Sequence, residues 1–132
     1  MTLNVRNRMA VTTNPFQGDY KKVLCVCSAG LLRSPTAAFV LSNPPFNFNT
    51  RSVGITTEFA LIPLDEALLF WSQEIVCMEN WQKERIETLL REANLKRPVI
   101  NLSIDDRHSY RDPELMRLVR EQYVLLKGLP NE

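Results

Sequence analysis

Lys22-Val23-Leu24-Cys25-Val26-Cys27 runs into Ser28-Ala29-Gly30-Leu31-Leu32-Arg33, and that into Ser34-Pro35-Thr36-Ala37-Ala38-Phe39-Val40-Leu41. The first six residues form the near-continuous apolar run of a parallel strand covered on both faces. The last eight read as a helix, with Ser34 at its N-cap and Pro35 as its first helical residue. A strand, a short loop and a helix start in that order open an α/β fold, and the chain downstream keeps the alternation.

Asn43-Pro44-Pro45 stops the helix, and a short strand ends near Arg51-Ser52-Val53-Gly54. Residues 65–71 suggest a short helix that offers Leu68, Leu69 and Phe70 for burial. Residues 74–78 make another buried strand. Asn80 caps a helix reaching about Ala93, with Trp81, Ile86, Leu89 and Leu90 on one face, so Trp81 and Trp71 read as core. Residues 98–102 are a fourth strand, and 103–111 a polar loop. Asp112-Pro113 opens a last helix that turns Leu115, Leu118, Val119, Gln122 and Leu126 inward, with Gly128 as its stop. The expectation is one α/β domain over residues 21–132, a central four-stranded parallel sheet flanked by helices with right-handed crossovers. Residues 1–20 are polar, without a period, and read as an N-terminal extension.

Composition narrows the function classes. The chain has 132 residues, 16 Lys+Arg against 15 Asp+Glu, and 45% hydrophobic residues. A formal net charge of +1 gives no electrostatic footprint for nucleic acid or a polybasic membrane contact. No stretch approaches the roughly 20 apolar residues of a membrane span, and residues 1–18 contain no apolar run of signal-peptide length. Cys25, Cys27 and Cys77 are odd in number, form no Cys-x-x-Cys pair and share the chain with one His, a poor supply for zinc. The expected setting is a reducing cytoplasm, without metal or other cofactor.

Chemistry concentrates in the first loop. Ligands of a parallel sheet bind beyond the carboxyl ends of its strands. Successive backbone N–H groups of residues 28–33 can converge there on one anion, backed by the positive end of the helix. Arg33 can add two parallel hydrogen bonds to a tetrahedral oxyanion, which lysine cannot. The same field favours the thiolate of Cys27, a nucleophile aimed at a bound phosphoryl group. Gly30 lets the loop turn inward, and the Ser34 hydroxyl can stabilise the sulfur as a leaving group. Cys27 also fits a plainer role as a small buried strand end, and Arg33 as a surface charge. Cys25 and Cys77, inside apolar runs, read as core.

Residues 23–37 resemble the phosphate-binding loop of the low-molecular-weight protein tyrosine phosphatases, in particular the short tyrosine phosphatases of bacteria and their phages. Arg51-Ser52-Val53-Gly54, Ile75-Val76-Cys77-Met78-Glu79 and the Asp-rich loop before the last helix extend the resemblance over about residues 22–127. It implies Cys27 as nucleophile, residues 28–34 as the phosphate cradle and an Asp after the fourth strand as general acid. Two departures stand out: Gly30 replaces the family's frequent Asn, and Leu32 the second Cys that many members place beside the Arg.

Three aspartates compete for the acid. Asp106 matches the distance from the fourth strand, with Arg107 where the family usually has Pro. Asp112 is the only Asp-Pro, but it also makes a complete helix start that needs no catalytic role. Asp105 reads as a solvated turn residue. His108 and Tyr110 share that loop and are candidates to line the pocket. The expected function is a cysteine-dependent phosphomonoesterase, with a phosphotyrosine-containing protein or a small aryl phosphate as partner. The alternatives are a phosphate-binding module without turnover and a phosphatase for another ester.

Overall fold

The computed structural model describes residues 20–28, 33–56, 63–105 and 112–128. Within them lie four strands, β1 (Lys22–Cys27), β2 (Asn49–Gly54), β3 (Glu74–Cys77) and β4 (Val99–Asn101). Four helices alternate with them: α1 (Arg33–Leu41), α2 (Glu66–Trp71), α3 (Asn80–Glu92) and α4 (Pro113–Lys127). The sheet is wholly parallel in the order β2-β1-β3-β4. The expected α/β architecture is what the chain adopts.

Alternation along β1 explains the layering. Val23, Cys25 and Cys27 point to one face and join Ala37, Ala38, Leu41, Leu115, Val119 and Tyr123 of α1 and α4. Leu24 and Val26 point to the other and join Leu68, Leu69, Ile86 and Leu90 of α2 and α3. Because both faces are covered, β1 has no polar positions to alternate with, hence its continuous apolar run. A truncation such as Ile86→Ala would leave a cavity in the second layer, costing about 2–5 kcal/mol.

Several local expectations shift. α1 begins at Arg33, so Ser34 is inside the helix and not its N-cap; its hydroxyl is engaged with Cys27 of β1 and Val53 of β2. α3 is capped by Glu79, one residue before the expected Asn80, with Gln82 accepting from the cap's N–H. Phe70 is 69% exposed, and Leu126 also lies in water instead of facing inward. Tyr123 takes the inward place on α4, fully buried because its hydroxyl has a carboxylate partner in Glu74. Trp81 is exposed at 46%, so it is not core; its indole N–H is drawn outward to the Glu79 carboxylate. Trp71, by contrast, is partly buried against the second layer, with Arg51 over its ring. Gly128 ends α4 at φ 67°, the left-handed stop that a residue with a side chain adopts at a cost.

Candidate active site

The strand order places β2 on one side of β1 and β3 on the other. The chain therefore leaves β1 in one direction and later crosses to the opposite side, opening a crevice at the carboxyl end of β1. Cys27 is the last residue of β1. Its carbonyl accepts from Ile55 N–H and that of Ser28 from Thr56 N–H, so the ladder to β2 continues past the strand and pins both residues. On the other flank, Leu102 and Ile104 donate to the carbonyls of Cys77 and Met78. The carboxyl ends are thereby fixed in pairs, β1 to β2 and β3 to β4.

Cys27 Sγ lies 3.2 Å from Ser34 Oγ and 3.4 Å from Ser34 N, which donates to it. Ser34 Oγ also reaches the Val53 carbonyl at 3.3 Å, so the hydroxyl has an acceptor while the sulfur is a thiol and can turn to the sulfur once it is a thiolate. Ser34 and Cys27 are in contact as expected, but with the thiol donating to the Ser34 hydroxyl, which itself donates to Val53. The other two thiols have different surroundings. Burial pushes the Cys25 thiol far up, with the nearby Glu74 and Cys27 adding to it. Burial likewise pushes Cys77 up to about 12. Both are neutral thiols in the core, as the apolar runs implied.

Arg33 is 2% exposed, an expensive position for a charge unless it is paired. Its Nη1 donates to Glu79 Oε2 at 2.7 Å and to the Ile104 carbonyl at 2.8 Å, and its Nη2 reaches Ser28 Oγ at 3.5 Å. The guanidinium is thus fixed by the ends of β3 and β4 and faces the first residue of the loop. Gln82, fully buried, accepts from the N–H groups of Met78 and Glu79 and donates from Nε2 to Ser28 Oγ at 3.3 Å. Glu79 and Gln82 escaped the reading of the sequence as site residues. The Glu-x-x-Gln capping spacing marks them as a helix start but does not reveal what they touch.

Cys27, Ser28, Arg33 and Ser34 are brought together at one end of the sheet. Ala29, Gly30, Leu31 and Leu32, together with Asp106, Arg107, His108 and Tyr110, lie outside the described residues. Asp105, exposed, directly follows the Ile104 whose carbonyl holds Arg33. Asp112 is the N-cap of α4, with Pro113 opening the helix and Glu114 in its first turn as expected, although its side chain makes no capping bond.

The fold built on the order β2-β1-β3-β4 has counterparts among solved structures. Vibrio vulnificus Wzb in complex with benzylphosphonate superposes with a TM-score of 0.62 at 19% identity, over 83% of this chain and 99% of that one. The tyrosine phosphatase Wzb from Escherichia coli K30, in complex with phosphate, gives 0.61 at 16% identity, over 84% and 99%. This is the fold of the low-molecular-weight protein tyrosine phosphatases. The same phosphatase fold includes the YwlE arginine phosphatase from Geobacillus stearothermophilus, similar at a TM-score of 0.55 and 18% identity over 85% and 99%. No protein-family profile and no curated protein sequence matches the chain. No helix among the described residues is long and apolar enough to cross a membrane.

Proposed function

We propose that the chain is a cysteine-dependent phosphomonoesterase acting on phosphotyrosine in proteins, with residues 21–132 as its catalytic domain. The observation that carries this reading is the pairing of Cys27 with the Ser34 hydroxyl and N–H beside a buried, tethered Arg33. A core cysteine needs no such partners, and a surface arginine would not be buried.

The chemistry follows from these placements. The phosphoryl oxygens are held by the Arg33 guanidinium and the N–H groups of residues 28–33, which stabilise the charge of the transition state. The Cys27 thiolate attacks phosphorus, and the bond to the leaving phenolic oxygen breaks. Asp106 delivers its proton to that oxygen. Water then attacks the phosphocysteine with Asp106 as base, phosphate leaves, and the sulfur departs as a thiolate to which Ser34 donates. Support for Asp106 comes from its place in the sequence, two residues after Ile104, whose carbonyl holds Arg33. No metal is required in this scheme. A cytoplasmic setting suits the free thiols.

The test is hydrolysis of p-nitrophenyl phosphate by wild type, Cys27→Ser and Asp106→Ala, followed by phosphotyrosine and phosphoarginine peptides. Wild-type turnover lost in Cys27→Ser and cut by about 10²-fold or more in Asp106→Ala is expected. Undiminished activity in Asp106→Ala would move the acid to Asp112 or Asp105. Absence of turnover with retained phosphate binding would make the loop a receptor and reject the enzyme reading. A preference for the phosphoarginine peptide would reject the tyrosine assignment alone.

A further inference from the structure

Trp81 is the second residue of α3, at the same end of the sheet as Cys27 and Arg33, and it leaves nearly half of its surface in water. Its orientation is nonetheless set. Indole Nε1 donates to Glu79 Oε1 at 3.2 Å, while Glu79 Oε2 accepts from Arg33 Nη1 at 2.7 Å. One carboxylate therefore holds the anion-binding guanidinium on one side and the aromatic ring on the other. The first turn of α3 is also joined to the loop through Gln82 and Ser28. A tethered ring offers a large apolar contact whose ordering has already occurred, so little freedom is lost when something stacks on it.

We infer that Trp81 is a specificity-determining residue whose exposed indole receives an aromatic or aliphatic side chain flanking the phosphorylated residue of a protein substrate. The inference rests on the phosphatase reading for the group that occupies Arg33. Nη2 of Arg33 faces Ser28 and the loop, whereas Nη1 faces Glu79 and, beyond it, the ring. A substrate group reaching Trp81 thus lies to the side of the phosphoryl group. This selects a neighbour of the phosphorylated residue rather than its own leaving group.

The experiment measures equilibrium binding of three ligands to wild type, Trp81→Ala and Trp81→Phe. The ligands are inorganic phosphate, a peptide bearing a non-hydrolysable phosphotyrosine mimic between aromatic residues, and the same peptide with alanine neighbours. Trp81→Ala is expected to weaken the aromatic-flanked peptide about tenfold more than it weakens phosphate. Trp81→Phe, which keeps a ring but not the N–H, is expected to retain most of that discrimination. Equal losses on all three ligands in both variants would mean that the indole only props Glu79, and would overturn the inference. So would equal wild-type affinity for the two peptides. Turnover of p-nitrophenyl phosphate by the same wild-type sample separates the outcomes. Turnover without peptide discrimination rejects Trp81 as a reader and leaves the phosphatase reading intact. Discrimination without turnover rejects the phosphatase reading and keeps the subsite.

Discussion

At the carboxyl end of the sheet a buried cation, Arg33, is held by the half-exposed Glu79. At the amino end a buried anion, Glu74, is held by Lys21 at 2.6 Å and Lys127 at 2.7 Å, with Tyr123 donating to its second oxygen at 2.8 Å. Burial alone would raise the Glu74 pKa, but hydrogen bonds from Lys127, Lys21 and Tyr123 outweigh it and hold the carboxyl below its ordinary range. Two cations and a phenol around one carboxylate tie β1, β3 and α4 together and leave nothing for a ligand to do. At the other end one acid and one carbonyl fix the guanidinium while it faces the loop. The difference is between a carboxylate enclosed by its partners and a guanidinium held on one side that faces the loop on the other.

Substitutions at the two ends should therefore fail in different ways. Arg33→Lys keeps the charge but loses the planar fork, and should lower kcat/KM by about 10³-fold, measured on p-nitrophenyl phosphate with circular dichroism as a fold control. A loss under tenfold would mean that a point charge suffices and that the fork is not used. Glu74→Gln should destabilise the fold by about 2 kcal/mol in urea titrations, because two partly exposed ammonium groups and a buried phenol lose their common carboxylate. Its kcat/KM under folding conditions should stay within about threefold of wild type; a large activity loss would join the two ends that the structure keeps apart. Glu79→Gln removes the charge opposite Arg33 yet retains an acceptor, and should cost about tenfold in kcat/KM with a smaller change in stability.

The pH dependence of stability sharpens the same contrast. Glu74 is depressed in the fold, so its contribution is present above its unfolded pKa near 4.5 and is lost as pH falls through the still lower folded value. Lys127 is raised, chiefly by its hydrogen bond to Glu74 and against burial. Tyr123 is raised by burial and by Glu74. Their contributions are complete below their unfolded pKa values of about 10 and fade as pH climbs beyond them. Denaturation midpoints should therefore drop at both extremes, and Glu74→Gln should flatten both arms. Unchanged arms in that variant would place the pH-sensitive groups elsewhere.

Much of this was open to reading in the residues, and the misses have physical reasons. The strand at Lys22–Cys27 declares itself because both faces are buried and no polar position interrupts it. Cys27 and Arg33 stand out because a thiol and a guanidinium flank a loop of a length that can wrap one anion. Glu79 and Gln82 do not stand out, because they act on residues 46 and 54 positions away, a relation no local period encodes. Hydrophobicity also misplaces Trp81, whose indole N–H finds the Glu79 carboxylate at the surface, and passes over Tyr123, whose hydroxyl finds Glu74 in the interior. Phe70 and Leu126 lie exposed next to inward neighbours, Leu69 and Val124, and composition alone does not rank such pairs.

The most direct test of the carboxyl end is to trap the reaction on the sulfur. Rapid acid quenching of wild type during turnover of an aryl phosphate, followed by mass spectrometry of the peptide containing residues 22–33, should find phosphate on Cys27. Cys27→Ser should hydrolyse nothing. Turnover that persists in Cys27→Ser, with no phosphate ever recovered on residue 27, would contradict nucleophilic catalysis at the end of β1.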